Sequence, residues 1–138
     1  MAARFPFVAV ASGRGDASLM PLVPLELRLK GGEAVQAQGL LDSGATVNVL
    51  PYSLGVALGA VWEAQTTHVT LGGNLAAQEA RAILMEARVA DLAPVTLVFA
   101  WTRADNVPLL LGQVNFFDQF DVCFHRSRRQ FEIKPARK

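Results

Sequence analysis

From Leu22 to Leu41 the chain alternates apolar and polar residues through two strand-length runs and then stops on an acid. Val23, Leu25, Leu27 and Leu29 fall on one side of the first run, and Glu26, Arg28 and Lys30 on the other. A period of two is the pattern of a half-buried strand. Pro21 and Pro24 confine the start of that strand to an edge, because proline has no N–H for a ladder. Gly31-Gly32 is a hairpin turn signal. Residues 34–41 return as a second strand, with Gln36 and Gln38 opposite Val35, Ala37 and Leu41. The hairpin delivers Asp42 to its far end, within Gly39-Leu40-Leu41-Asp42-Ser43-Gly44-Ala45-Thr46. A carboxylate closing an apolar strand is costly to bury unless it is paired or hydrogen-bonded. Ser43 offers a short hydroxyl for local backbone bonds, and Gly44 permits a positive φ or a close backbone approach. The stretch reads as a strand ending in a tight loop that presents Asp42, the kind of loop on which site residues sit. The plainer reading is that Asp42 caps a turn.

The rest of the chain repeats this grammar. Residues 47–50 are a short apolar strand ending at Pro51, and residues 52–58 have room for one or two helical turns. Residues 66–71 are β-branched and alternating, and Gly72-Gly73-Asn74 after them is a second hairpin signal. Residues 75–89 favour helix by propensity. Ala80, Ala82, Leu84 and Glu86 nevertheless alternate with Arg81, Ile83 and Met85, so the segment reads as a strand. Residues 95–101 read as a buried strand, and Leu109-Leu110-Leu111 is an apolar run halted by Gly112. Residues 113–120 read as a short helix with Val114, Phe117 and Phe120 inward and Asp118 and Gln119 outward. Two short strands, 121–125 and 130–133, flank a basic turn at Arg126-Ser127-Arg128-Arg129. Many short strands with glycine turns and little helix predict an all-β sandwich or barrel. Residues 1–18 form an N-terminal arm and residues 19–138 the domain. Within the arm, residues 5–11 suit an edge strand or a segment that pairs with another subunit. Residues 12–18 are turn material, and Arg14-Gly15-Asp16 there reads as a glycine-rich loop rather than an integrin-type tripeptide.

Bulk properties narrow the function classes. A chain of 138 residues is the size of one domain with a real core. At 51% hydrophobic and 18% charged it is not disordered, and a net charge of +1 argues against a dedicated nucleic-acid binder. One cysteine, Cys123, allows no internal disulfide and suits a reducing compartment. No apolar run reaches the roughly 18 residues of a membrane span. The apolar start is short and broken by Pro6, a poor signal peptide. Cytoplasmic placement, with no membrane and no nucleic-acid partner, is the expectation. The basic end (Arg126, Arg128, Arg129, Lys134, Arg137, Lys138) reads as a solvated turn and tail, since no aromatics interleave with it. Cys123 is expected to be a buried small hydrophobe, and Trp62 and Trp101 core or interface residues. Cys123 has His125 two residues away on the same strand face, but nothing else suggests a cysteine protease. His68 and His125 stand without the ligand set a zinc ion needs, so no metal and no cofactor is expected.

Taken in order, the Leu40-Leu41-Asp42-Ser43-Gly44-Ala45 stretch, the Gly72-Gly73 hairpin, and Leu110-Leu111-Gly112 followed by a short helix resemble the retropepsin-like aspartic proteases, the single-domain relatives of pepsin. The resemblance spans roughly residues 20–134. Thr46 and residues 112–120 look most like the bacterial and cellular members. The resemblance implies a closed acid-protease barrel with one short C-terminal helix and a flap hairpin. It implies that Asp42 is catalytic and that Ser43, Gly44 and Ala45 support its loop. The Ser43 hydroxyl would bond across a dimer, and Gly44 would let the two loops approach. Residues 67–77 would form the flap, with Leu71, Gly72, Gly73 and Asn74 near its tip, and Gly112 would be the second-loop glycine. In such enzymes two carboxyls share one proton; the ionised one activates water and the protonated one donates to the carbonyl oxygen. Asp16, Asp91 and Asp105 do not repeat the motif, so the second carboxyl must come from a second copy in a C2 homodimer. The acid–arginine pair that viral members place around these loops is missing, with Thr46 or Val47 and Gln113 in its positions. The expected function is an aspartic endopeptidase acting on peptide or protein substrates. The alternative is a non-catalytic module of the same fold used for dimerisation or peptide binding. A third reading makes the chain a processed regulator with residues 1–18 as a removable arm.

Overall fold

The computed structural model describes residues 1–11, 15 and 17–137. Arg14 and Asp16 of the Arg-Gly-Asp tripeptide lie outside the described residues. The first alternating hairpin forms as read: β4 (Leu22–Arg28) pairs antiparallel with β5 (Val35–Leu41), Leu27 facing Val35 and Leu22 facing Leu40. Val23, Leu25 and Leu27 are buried together, while Pro24 and Arg28 are exposed. Ahead of this hairpin stand β1 (Ala3–Pro6), β2 (Val8–Ala11) and β3 (Ala17–Met20). After it come β6 (Asn48–Leu50), α1 (Tyr52–Ala57), β7 (His68–Val69), β8 (Ala80–Val89), β9 (Val95–Thr102), β10 (Leu110–Leu111), α2 (Phe116–Gln119), β11 (Phe120–His125) and β12 (Gln130–Pro135).

Six strands close on themselves in the order β4-β5-β10-β6-β9-β8, with β8 pairing back to β4 through Leu25↔Val89 to Arg28↔Glu86. Closure removes the open edges that an alternating sheet would otherwise present. The expected closed all-β barrel with one short C-terminal helix is therefore the fold. Trp101, Phe99, Leu25, Leu27, Leu97, Met85 and Leu111 fill its interior. Each such side chain is worth about 1.5–3 kcal/mol of burial. A smaller apolar cluster of Val49, Leu71, Ala80, Ala100 and Val107 sits apart from this main core. Outside the barrel, β1, β12 and β11 form a three-stranded sheet, and β2 and β3 form a hairpin of their own.

Several local expectations are corrected. The strand over residues 66–71 shortens to His68–Val69, because Leu71 leaves the ladder to pack into the smaller cluster. The strand over residues 75–89 starts only at Ala80. Between them the hairpin signal Gly72-Gly73-Asn74 is not abutted by the two strands; Gly73–Leu75 is a 3₁₀ turn inside a longer connection. The C-terminal helix is one turn, and its buried contact is Phe116; Val114 is exposed. Cys123 is exposed rather than buried. Period two puts it on the same face of β11 as Asp121 and His125, and that is the outer face. Trp62 and Trp101 are core residues, joined by Tyr52 in an aromatic group with centroids 5.2–6.1 Å apart.

Candidate active site

Parallel pairing of β5 with β10 builds the site. Leu40 lies beside Leu110 and Leu41 beside Leu111, so Asp42 and Gly112 leave the barrel together at the same end. The Asp42 N–H donates to the Leu111 carbonyl at 3.0 Å. The loop then turns on itself: Asp42 Oδ1 accepts from the Gly44 N–H at 3.0 Å, and the Asp42 carbonyl accepts from the Ala45 N–H at 3.1 Å. One carboxylate oxygen is thus fixed by its own loop, while Oδ2 has no protein donor among the described residues. Asp42 is half-buried, and Ser43 and Gly44 are exposed.

The loop after β10 clamps this one from below. The Gln113 N–H donates to Ala45 O at 2.9 Å and the Val114 N–H to Thr46 O at 2.9 Å. The Gln113 side chain adds Nε2 to Ser43 O at 2.7 Å. Ser43 is therefore held through its carbonyl. Gly112 lies against the backbone of Ala45 and Val47; a Cβ there would stand 2.8 Å from Ala45 O and nearer still to Val47 O. That contact, rather than any special φ, is why this position is a glycine.

Beneath both loops lies a pair of asparagines that sequence reasoning passed over. Asn48 is fully buried. Its Oδ1 accepts from the Gly112 N–H at 2.8 Å, and its Nδ2 donates to Val98 O at 2.9 Å and Asn115 Oδ1 at 3.2 Å. Asn115 Oδ1 also accepts from the Val98 N–H at 2.9 Å, and its Nδ2 donates to Thr96 O at 3.0 Å. The network ties β6, β9 and the α2 entrance to the Gly112 loop. The one available signal was a polar residue inside the apolar run Val47-Asn48-Val49-Leu50, since a buried amide demands partners.

A groove of about 680 Å³ runs over this floor. It gathers Asp42, Gly44 and Ala45 from the loop and Leu71, Gly72, Gly73 and Asn74 from the β7–β8 connection, with Asn106, Val107 and Pro108 alongside. Of the residues singled out from sequence, Ser43 and Gly112 do not line it. Among the described residues, Asp42 is the only ionisable side chain lining the groove. Asp105 has a structural task, its Oδ1 accepting from the Ser53 N–H at 2.7 Å in the first turn of α1. The base of the β7–β8 hairpin is held by Arg81, whose Nη1 donates to Trp62 O at 2.8 Å and Gln65 O at 3.2 Å while its guanidinium lies 4.5 Å over the Trp62 ring. Among the described residues no group of three or more His, Cys, Asp or Glu side chains is placed to hold a metal ion. No helix among them is long and apolar enough to cross a membrane.

No protein-family model and no curated protein matches the chain. Among solved structures it is similar to the crystal structure of a retropepsin-like aspartic protease from Rickettsia conorii, at 12% sequence identity and a TM-score of 0.60. The likeness covers 96% of this chain and 91% of that one. At that identity the likeness speaks to architecture, and it shows that the closed six-stranded barrel described above is a retropepsin-like fold.

Proposed function

We propose that the protein is an aspartic endopeptidase of the bacterial and cellular retropepsin-like branch, active as a homodimer in which each copy supplies one Asp42. The observation that carries this is the groove: among the described residues its only ionisable side chain is Asp42, at the end of β5 and beside the β7–β8 connection. The similarity to a structure described as an aspartic protease supports the same chemistry. In the dimer the two Asp42 carboxyls share one proton, since two such groups in contact cannot both ionise. The ionised one takes a proton from the attacking water, and the protonated one donates to the scissile carbonyl oxygen. Oδ1 is already committed to the Gly44 N–H, which orients the carboxyl and leaves Oδ2 for the partner and the water. The connection bearing Leu71, Gly72, Gly73 and Asn74 acts as the flap, closing over an extended peptide and excluding water. Gln113, bonded to Ser43 O, takes over without charge the bracing that viral members assign to an ion pair.

Asp42→Asn tests the reading. It keeps the loop's shape and removes the shared proton, so cleavage of a peptide library should fall by about 10²- to 10⁴-fold with the dimer intact. If pure wild-type dimer cleaves nothing across roughly pH 4–7, the enzyme reading fails and the fold is serving as a non-catalytic peptide-binding or dimerisation module.

A further inference from the structure

The β2–β3 hairpin and the basic turn between β11 and β12 stand against each other. Phe7, the residue between β1 and β2, donates its N–H to Arg129 O at 2.9 Å. The Arg126 guanidinium lies 5.3 Å over the Phe7 ring. The chain is thus pinned to the basic turn just before the hairpin begins. Between the two lies a recess of about 610 Å³, lined by Ala9, Ala17, Ser18, Leu19, Arg126 and Arg129. One side of it is small and mostly apolar, and the other carries two positive charges. Among the described residues no acid lines it. Neither guanidinium forms an ion pair among those residues; the ion pairs there belong to Arg4, Arg28 and Arg81. Arg129 also stands in the left-handed region, at φ 55° and ψ 40°. A residue with a Cβ is strained there, and glycine would close the turn with less strain. A long cation kept at such a position points to a use for its guanidinium. Charge alone does not explain the arrangement, because Arg128 lies between the two in sequence and does not line the recess.

We propose that this recess binds a small phosphomonoester, its dianion gripped by Arg126 and Arg129 and its organic body lying on Ala9, Ala17 and Leu19. A phosphomonoester carries close to two negative charges at neutral pH and three strong acceptor oxygens. Two guanidiniums match that charge, and each is a planar fork suited to a pair of phosphate oxygens. A lone carboxylate would neutralise only one of them. Stacking on Phe7 already restrains Arg126, so less of its freedom is lost when the anion binds. The volume falls in the range of small-molecule pockets, about 300–1,000 Å³. A nucleic-acid strand would instead need a longer basic track with aromatic platforms for its bases. The recess shares no lining residue with the Asp42 groove, so it is a second site whether or not the groove cleaves peptides.

The test is calorimetric titration of the full chain with phenyl phosphate, with phenol as the uncharged control. Phenyl phosphate should bind saturably and phenol should not. Arg126→Gln and Arg129→Gly should each weaken binding by about 10-fold or more. Arg128→Gln should leave it within about 2-fold of wild type. Arg129→Gly keeps the turn and relieves its left-handed backbone, so it should melt no lower than wild type, and its lost affinity is then not a loss of fold. Equal losses in all three variants would reduce the site to a diffuse positive surface and overturn the proposal. So would a wild type that shows no saturation by roughly 10 mM phenyl phosphate. A chain that ignores phenyl phosphate but sediments with phosphatidylcholine vesicles containing phosphatidic acid would overturn the small-ligand assignment in favour of a lipid surface. Asp42→Asn should bind phenyl phosphate as wild type does, so a chain that binds the phosphate and cleaves no peptide upholds this site while the protease reading fails.

Discussion

The floor and the roof of the groove are held by opposite means. The floor is fixed by bonds between segments far apart in sequence: Asp42 to Leu111, Gln113 to Ser43 and Ala45, Val114 to Thr46, and Asn48 to Gly112. Its backbone is so close-packed that position 112 has no room for a methyl group. The roof is held by its own short-range bonds, Leu75 N–H to Gly72 O, Ala76 N–H to Gly73 O and Gln78 N–H to Leu75 O. Two side chains, buried Leu71 and partly buried Leu75, anchor it in the smaller apolar cluster, and the glycines themselves stand in open space. A site that must hold a carboxyl still while admitting a chain of peptide needs both properties. The long-range network supplies the first and the local turn the second.

The largest effect should come from disturbing the floor. Gly112→Ala forces a methyl against two backbone carbonyls that cannot swing aside as a side chain would. We expect a loss of about 3 kcal/mol, on the order of 10 °C in Tm, with cleavage abolished. A thermal melt within a degree of wild type would show that the floor yields as readily as the roof. Next comes Asn48→Leu, which keeps the branched shape of the side chain and deletes the amide. The buried Gly112 N–H and Val98 carbonyl lose this partner, at about 2 kcal/mol in urea denaturation. An unchanged midpoint would mean that water replaces the amide and that the network does not brace the loop.

The same contrast governs what could be read in advance. β4 and β5 were legible because one face of each is buried and the other wet, so period two is written into residues 22–41. The Asp42 loop was legible because an acid, a hydroxyl and a glycine after an apolar run have few other uses. The floor's network was not, since β10 is two residues long and its parallel partner lies about 70 residues earlier. Asn48 and Asn115 find each other only once the barrel has closed. The roof was misread for a local reason. Gly72-Gly73-Asn74 is a hairpin signal after a β-branched run to Leu71, but Leu71 is drawn into the cluster with Val49 and Val107, so the ladder stops at Val69 and the chain needs a wider connection. Cys123 was misjudged by weighing its apolar neighbours over its parity with Asp121 and His125, which already placed it outside.

The finest test of the roof uses its two glycines against each other. A Cβ at either Gly72 or Gly73 meets nothing within 4 Å, so neither substitution clashes. They differ in backbone alone: Gly72 has an ordinary φ of −102°, whereas Gly73 sits at +58°. Gly73→Ala should therefore cost about 1 kcal/mol, the left-handed penalty for a residue with a Cβ, and Gly72→Ala should fall within about 0.5 kcal/mol of wild type. Both residues line the groove, so the endopeptidase reading adds a kinetic expectation. Reshaping the tip by Gly73→Ala should raise KM more than it lowers kcat, because the roof grips the substrate while the floor holds the carboxyl. Equal stabilities for the two variants would mean that position 73 does not keep its left-handed turn in solution. A loss confined to kcat would mean that the roof helps to set the position of Asp42, and the division between a braced floor and a locally held roof would not stand.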